Sequence, residues 1–373
     1  MKRLLFIFSF LTCAFSVLAQ PVLDSNNIPG PGDTLFYLTD HLPDQIRITA
    51  PGPKQFWNFS QLDAPILEYT LIEPATAGQK ADAFPAAEMV MLGRDGSEAY
   101  YRTDASGLHL LGRSESFQEI DAMSMSSFDQ GLLDLVSGME YDDDLDVESM
   151  YECQIERSAL PPSVRNSLGS EVQRVRLHAK LTRRVTADAW GNMLIPRGQY
   201  DVLRVRIDDV CDVSIEMQSE NSPVWKAGDA ALAEKIIGRK NKSYYRFYAD
   251  KIKGAIATMY LDENDELERV TFRANPQQLK DYRNIDSNQK IYAFPNPSYG
   301  SLRLRFDNLK AGNYSVRFYN ILGKQLFEES YEISSAKTVR VDVSRLQKGT
   351  YLYALLDERG NKLVTKRIVV LKR

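Results

Sequence analysis

The sequence predicts a mainly all-β protein, in which a β-rich N-terminal body with one or two short helices precedes a small immunoglobulin-like β-sandwich. Apolar and polar residues alternate in many short stretches, for example at 174–181 and 302–306. Alternation with a period of two is the pattern of half-buried strands. Helical periodicity is confined to 121–137 and 229–237.

The first element is a signal peptide at residues 1–19. Lys2 and Arg3 form its basic start, residues 4–18 are apolar, and Ala19 is the small residue before cleavage. This apolar run is too short for a permanent anchor, and no other stretch is apolar enough to span a bilayer. We therefore expect no transmembrane segment in the mature chain.

The body comprises residues 20–275, and a division into two subdomains would fall near 115–150. Residues 186–192 are expected to turn the chain, and Asp229 is the expected N-cap of a helix that ends before Gly238. The alternation predicts strands at 33–39, 46–48, 56–60, 67–72, 89–92, 98–102, 107–112, 174–181, 193–196, 202–217, 244–249, 255–261 and 267–272.

A separate module follows the body. Residues 276–290 are polar and aperiodic, as in a linker, and residues 291–373 contain about seven short strands with a turn signal every 8–12 residues. Four motifs follow one another in this module. They contain Pro295, Asn296, Pro297 and Gly300, then Gly323 and Lys324, then Asp342, Leu346, Gly349 and Tyr351, and finally the basic and apolar ending around Lys366.

These motifs resemble the type A C-terminal sorting domain of the type IX secretion system, except that Phe294 stands where the family usually has Tyr. The resemblance covers residues 291–373. It implies a bacterium of the Bacteroidetes group and export through the periplasm and across the outer membrane. The implied partners are the secretion translocon and a cell-surface sortase that removes the domain.

The body carries a second resemblance. Gly52-Pro53 with Trp57-Asn58-Phe59-Ser60, together with the residues at 188–200 and 203–205, resemble secreted β-proteins of Bacteroidetes that carry the same sorting domain and have no assigned activity. This resemblance implies a β fold and no particular chemistry.

Charge is distributed unevenly along the chain. Residues 290–373 contain 16 Lys and Arg against 7 Asp and Glu, whereas the remainder contains 30 against 43. Nucleic-acid binding depends on clustered basic residues that neutralise phosphates. The acidic body therefore excludes a nucleic-acid partner.

Cys153 and Cys211 are the cysteines that remain in the mature chain, and both fall on the apolar side of predicted strands. In an oxidising compartment they would pair across a core and close a loop of roughly sixty residues, stabilising the fold by about 4 kcal/mol. The alternative is two buried free thiols that behave as small apolar side chains. We expect the disulfide.

Catalytic and metal-binding motifs are missing from the sequence. His41, His109 and His178 lack metal-ligand spacing, and neither a Gly-x-Ser-x-Gly elbow nor a phosphate-binding glycine loop is present. The acidic run Asp142–Glu148 would suit calcium through its oxygens or form a solvated loop. We expect no cofactor, no resident metal and no identifiable catalytic residue.

These observations favour a secreted or cell-surface protein whose body is a non-catalytic binding or structural module. Its ligand would be a glycan or a protein, and Trp190, beside a Gly-Asn pair, is the expected contact because exposed aromatic rings stack on sugars. The alternative is a secreted hydrolase of polysaccharide or peptide with acidic catalytic residues, since a pair of acids in a cleft leaves no sequence motif.

Overall fold

The structure is a computed structural model. It describes residues 20–40, 43, 45–62, 66–93, 97–115, 124–160, 162–237, 241–275, 279, 291–294, 296, 298, 301–306, 309–333 and 337–371. The predicted signal peptide and nearly all of the predicted linker lie outside these residues. No helix in the described part is long and apolar enough to cross a membrane.

Strands account for most of the body, and helices are short. The strands are β1 (Thr34–Asp40), β2 (Gly52–Asn58), β3 (Ile66–Pro74), β4 (Met89–Gly93), β5 (Glu98–Asp104), β6 (Gly107–Glu115), β7 (Ser124–Val136), β8 (Asp144–Glu156), β9 (Val172–Ile195), β10 (Gly198–Ser219), β11 (Trp225–Ala227), β12 (Asn241–Ala249), β13 (Ala257–Leu261) and β14 (Leu267–Arg273). The helices are α1 (Pro162–Arg165), α2 (Ala230–Ile237) and the 3-10 turns Ser25–Asn27, Ala75–Ala77, Ala81–Ala83 and Arg157–Ala159.

Twelve of these strands form one antiparallel sheet that closes on itself, a closed barrel that the sequence analysis did not predict. The order is β1, β3 to β10, then β12 to β14, and β14 pairs with β1 to complete the circuit. Strand β2 lies outside this circuit and pairs in parallel with β9. Strand β11 pairs with the far end of β10.

The hairpin β9–β10 is the longest element, with paired residues from Gly198–Ile195 to Ser219–Val172. The turn expected at 186–192 is wrong, because those residues continue β9. A β-bulge lies there instead: Arg204 pairs with Ala189 and Val205 with Ala187, which leaves Asp188 as the extra residue. The bulge changes which side chains face inward, since an inserted residue shifts the alternation by one position.

The two helix predictions had opposite outcomes. The helix at 229–237 is confirmed by α2, whose first turn is capped by Asp229 as its Oδ1 accepts from the backbone N–H of Ala231 at 2.9 Å. The helix at 121–137 is wrong, because the described part of that stretch is β7. Gly131, with a φ of 80°, lies where the pairing of β7 with β6 is irregular, so the alternation is interrupted there.

Alternation divides the side chains of the body between an inner and an outer core. On β12, Tyr244 and Tyr248 face the inner core, whereas Tyr245 and Phe247 face the outer one. The outer core also contains Trp57, which is 2% exposed, and it is covered by β2. A third apolar cluster packs under α1 and α2.

Arg204 links the outer core to the closed sheet through buried hydrogen bonds. It is fully buried, and its Nε and Nη2 donate to the two carboxylate oxygens of Asp188 at 2.7 and 2.9 Å. Its Nη1 donates to the carbonyl and hydroxyl oxygens of Thr49, each at 3.0 Å. The guanidinium carbon lies 4.7 Å from the Tyr245 ring centre and 5.7 Å from that of Trp57. The buried charge is therefore paired and enclosed by aromatic rings.

The C-terminal module has seven strands in two small sheets. They are β15 (Ile291–Phe294), β16 (Ser301–Phe306), β17 (Gly312–Asn320), β18 (Gln325–Ile333), β19 (Lys337–Asp342), β20 (Gly349–Leu356) and β21 (Lys362–Val370). Strands β15, β16 and β19 form one sheet, and β18, β17, β20 and β21 form the other. Apolar side chains from both sheets share one core.

The expected disulfide is wrong, because Cys153 and Cys211 are not joined to each other and both are buried. Cys153 on β8 lies opposite Leu177, and Cys211 on β10 lies opposite Leu181. Since β9 runs between β8 and β10, the two Cα atoms are about 10 Å apart across the strands and about 13 Å apart along them. A disulfide needs Cα atoms within about 7 Å.

We therefore expect the mature protein, denatured without reductant and treated with iodoacetamide, to gain two alkyl groups. Burial of both thiols also predicts that the native protein alkylates far more slowly, because the thiolate needs access to the reagent. Intact-mass spectrometry reads both results. A denatured chain that is labelled only after reduction would contradict the free thiols.

Candidate functional site

Four charged side chains point into the closed sheet among apolar neighbours. On β9, Arg183 faces inward like Leu181, a member of the inner core. Asp209 on β10, Asp134 on β7 and Arg246 on β12 face it from other strands. We call these four residues the inner ion chain.

The inner ion chain alternates in sign. Arg183 donates from Nε and Nη2 to both carboxylate oxygens of Asp209 at 2.7 and 2.8 Å. Its Nη1 donates to Oδ1 of Asp134 at 3.2 Å. Arg246 Nη1 donates to the same Oδ1 at 3.1 Å and to the Asp134 carbonyl oxygen at 3.0 Å. One carboxylate is thus shared by two guanidinium groups.

The charges of this chain hold each other ionised. Burial raises the pKa of Asp134, but the Arg246 and Arg183 guanidiniums outweigh burial, and the pKa lies below its ordinary value. Burial opposes the charge of Arg246, yet Asp134 and neighbouring tyrosines leave its pKa well above the ordinary value. A general acid at neutral pH needs a raised carboxyl pKa. Asp134 therefore cannot serve as one.

Tyrosines surround the inner ion chain. The Tyr244 hydroxyl accepts from Arg183 Nη2 at 3.2 Å, and the Tyr248 hydroxyl accepts from Arg246 Nη1 at 3.5 Å. Burial raises the pKa of both hydroxyls, so they stay protonated at neutral pH. Each can donate its own proton to a further acceptor.

Solvent reaches one end of the chain more than the other. The side chains of Arg183 and Asp209 are 7% and 10% exposed, whereas those of Asp134 and Arg246 are 18% and 24% exposed. The Arg183–Asp209 pair is therefore structural, and the accessible cation of the chain is Arg246.

A second feature is an open cleft of about 690 Å³ at the end of the sheet where β5 and β12 finish. Met89, Asp104, Lys251 and Lys253 are among its lining residues. The Asp104 carboxylate is already engaged by Ser106 at 2.5 Å and by other donors, which hold its pKa below the ordinary value.

Ser106, His109 and Asp104 meet beside this cleft, but not as a catalytic triad. His109 Nε2 lies 2.9 Å from Ser106 Oγ and 3.0 Å from Asp104 Oδ1. A triad requires the serine and the carboxylate on different ring nitrogens. The three residues therefore stabilise the β5–β6 turn.

The acidic run Asp142–Glu148 enters β8, where successive side chains face opposite sides. Asp144 pairs with Arg184 at 3.0 Å and Glu148 with Lys180 at 2.8 Å, both on β9. The carboxylates do not converge on one point as calcium coordination requires. No group of three or more His, Cys, Asp or Glu with metal-binding geometry occurs among the described residues.

The other two histidines are His178, which forms surface ion pairs, and His41. His178 faces outward on β9, with Nε2 2.9 Å from Glu216 and Nδ1 3.7 Å from Glu152. These contacts belong to a surface ladder of charged side chains on β8, β9 and β10. His41 lies outside the described residues.

Trp190, the predicted ligand contact, is a strand residue rather than a turn residue. It is half-buried, lies opposite Leu203 and packs against the inner core. The bulge at Asp188 explains this orientation, because it places Ala189 in the outer core and Trp190 on the inner side.

The sorting motifs fix the turns and one edge of the C-terminal module. Asn296 Oδ1 accepts from the N–H of Val369 at 2.7 Å, and its Nδ2 donates to the carbonyl of Arg367 at 3.2 Å. The first motif is thereby tied to β21, where Lys366 lies. Pro295, Pro297 and Gly300 lie outside the described residues.

The middle motifs are turn devices. Asn320 Oδ1 accepts from the N–H of Lys324 at 2.9 Å, and Gly323 has a φ of 81°, which favours glycine. Asp342 Oδ1 accepts from Ser344 N–H at 2.8 Å.

The third motif continues into β20. Leu346 is buried, Gly349 is the first residue of β20, and the Tyr351 hydroxyl donates to the Gln347 carbonyl at 2.7 Å. Asn296, Asn320, Asp342 and Tyr351 thus set the local backbone geometry through their side-chain hydrogen bonds.

Sequence reasoning missed the inner ion chain, although a signal was present. On β10, Asp209 faces inward like Ile207 and Cys211, two residues before and after it. On β9, Arg183 faces inward like Leu181 and Val185. A charge at an apolar parity position in two neighbouring strands indicates a buried pair, since lone buried charges are too costly to survive.

Comparison with known proteins assigns the C-terminal module. Residues 292–371 match the family model "Secretion system C-terminal sorting domain", which confirms the expected type IX sorting domain. This match indicates export across the outer membrane to the cell surface or extracellular space. A search of curated proteins found no match.

Among solved structures, dimeric latent PorU from Porphyromonas gingivalis is similar with 9% identity and a TM-score of 0.22, covering 91% of this chain and 34% of that chain. The chain thus spans about a third of PorU, and at this TM-score the likeness supports no conclusion about fold or activity.

Asp134→Asn should destabilise the fold by about 3–5 kcal/mol at pH 7, because it leaves two inward guanidiniums without their shared anion. The pKa of Asp134 is lowered from 3.8 in the folded protein, so its ionised form stabilises the fold above about pH 4. That contribution is lost as the pH falls through the folded pKa. Urea unfolding at pH 7 and at pH 3 should therefore show a smaller difference at pH 3.

The matched control is Asp144→Asn, which removes an exposed partner of Arg184 and should change stability by less than about 1 kcal/mol. Equal losses for the two variants at pH 7 would contradict a stabilising role of the inner ion chain.

Proposed function

We propose that this chain is a cargo of the type IX secretion system and that its body acts as a non-catalytic binding or structural module outside the cell. The observation that carries the export route is the sorting-domain match at residues 292–371. The translocon is the partner that this match implies, and a cell-surface sortase is the partner that we propose for removal of the module.

Removal of residues 291–373 should leave the protein in the periplasm, because the sorting domain is then missing from the cargo. Immunoblots of periplasm, surface and medium would measure the distribution. The reciprocal arm places residues 276–373 behind a periplasmic reporter, which should then leave the cell. Unchanged surface delivery of the truncated protein would refute the sorting role.

The binding role rests on how the acids of the body are engaged. Asp134 and Asp209 bind arginines within the inner ion chain, Asp188 binds Arg204, and Asp104 binds Ser106 and His109. A hydrolase acting through two acids needs one carboxyl group that holds a proton near neutral pH. The pKa values of Asp134 and Asp104 lie below the ordinary value, so neither of these carboxyl groups holds that proton.

A glycan and peptide array tests this role against the hydrolase alternative. The protein lacking residues 1–19 would be incubated with the array, and mass spectrometry would detect any cleaved product. Retained ligand without cleavage is the expected result. Turnover of a polysaccharide or peptide would refute the non-catalytic role, and Trp190→Ala in the same assay would test the contact predicted from the sequence.

A further inference from the structure

The guanidinium of Arg246 is only partly used. All its hydrogen bonds to described residues come from Nη1, which reaches the Asp134 carboxylate and carbonyl and the Tyr248 hydroxyl. Nε and Nη2 have no such partner in the described part of the chain. Because the side chain is 24% exposed, these donors can meet a molecule that enters the closed sheet.

A second cation lies on the same wall. Arg269 on β14 is paired in register with Tyr260 on β13, and its guanidinium carbon lies 3.8 Å from the centre of that ring. Its Nη1 lies 4.0 Å from Oε2 of Glu268. Tyr260 lies opposite Tyr244, with ring centres 6.0 Å apart. The wall thus presents two arginines and two aromatic rings.

Hydroxyl groups continue this wall across four strands. Arg246 lies opposite Thr258, Thr258 opposite Thr271, and Thr271 opposite Thr39. This row spans about 15 Å at the usual spacing of strands. Thr39 is 1% exposed, and its Oγ1 has no hydrogen-bond partner among the described residues. A buried hydroxyl without a partner is costly, so the row is incomplete without a further polar group.

We propose that this wall is a binding site for an acidic saccharide, with Arg246 as the anchor for its carboxylate. The arginine fork matches a carboxylate through two parallel hydrogen bonds. The threonine hydroxyls both donate and accept, as sugar hydroxyls require. The inference rests on the proposed binding role and supplies its ligand class.

The carboxylate is the feature that distinguishes this ligand from other sugars. A neutral saccharide would leave Nε and Nη2 of Arg246 without an anion, and a simple carboxylate such as acetate would not reach the threonine row. Both the charge and the sugar hydroxyls are therefore needed for full affinity, and each can be removed separately from a test ligand.

Isothermal titration of the protein lacking residues 1–19 with trigalacturonate tests the site. We expect binding of trigalacturonate and at least about tenfold weaker binding of its methyl ester, which keeps the sugar and removes the charge. Acetate should bind at least about tenfold more weakly as well. The proposal is overturned if acetate binds as tightly as trigalacturonate, or if the methyl ester binds as tightly as the free acid.

The variant arm is Arg246→Gln, expected to weaken trigalacturonate binding at least about tenfold, with Arg246→Lys retaining part of it. Arg184→Gln is the matched control, because it removes an arginine from the exposed face of β9 and should leave binding unchanged. Each variant is first checked for a native circular dichroism spectrum at the titration temperature, because loss of the Arg246 bond to Asp134 is expected to lower the unfolding midpoint. Wild-type affinity in a folded Arg246→Gln overturns the site.

Failure of the saccharide site and failure of the proposed binding role give different experimental results. If the array yields a neutral glycan or a peptide ligand whose binding is unaffected by Arg246→Gln, the module binds and the saccharide site is wrong. If neither the array nor trigalacturonate gives binding, both are wrong.

Discussion

The inner ion chain is the constraint on which the body depends. Its two acids and two arginines come from β7, β9, β10 and β12, so it bridges strands that are not all neighbours in the sheet. Buried charges add little net stability over apolar packing, but removal of one partner is severe. The inner ion chain therefore contributes to the specificity of the fold, because it favours the one arrangement of strands in which every buried charge has its partner.

The width of the closed sheet explains why polar groups are needed inside it. A ring of eight strands is just wide enough for side chains to fill, and larger rings enclose additional space. With twelve strands, long side chains such as Arg246 and Tyr244 reach across the interior to Asp134 and Arg183. Solvent reaches the interior at the Arg246 end, where that side chain is 24% exposed.

Sequence patterns predicted the individual strands far better than the closure of the body's sheet into a barrel. Most strands of the body and of the module follow from alternation, but the strand predicted at 46–48 is wrong and β7 lies in a stretch predicted as a helix. Asp229 correctly marked the start of α2. The bulge at Asp188 reversed the expected surroundings of Trp190, because one extra residue changes the parity of a strand. The Arg183–Asp209 pair left a signal in the parity of β9 and β10. The absence of the disulfide and the contribution of Asp134 and Arg246 could not be predicted, since each depends on which distant strands become neighbours. The sorting motifs were recognisable because they encode short turns.

The pairing of β1 with β14 has a consequence for the order of folding. Tyr37 is in register with Arg273. The first and last strands of the barrel therefore pair although nearly the whole sequence of the body separates them. Such distant contacts form late, because the entropy of closing the intervening loop must be overcome first. The circuit cannot be completed until residues 267–273 are available to pair with β1. The enclosed interior of the sheet is therefore among the last features of the body to form.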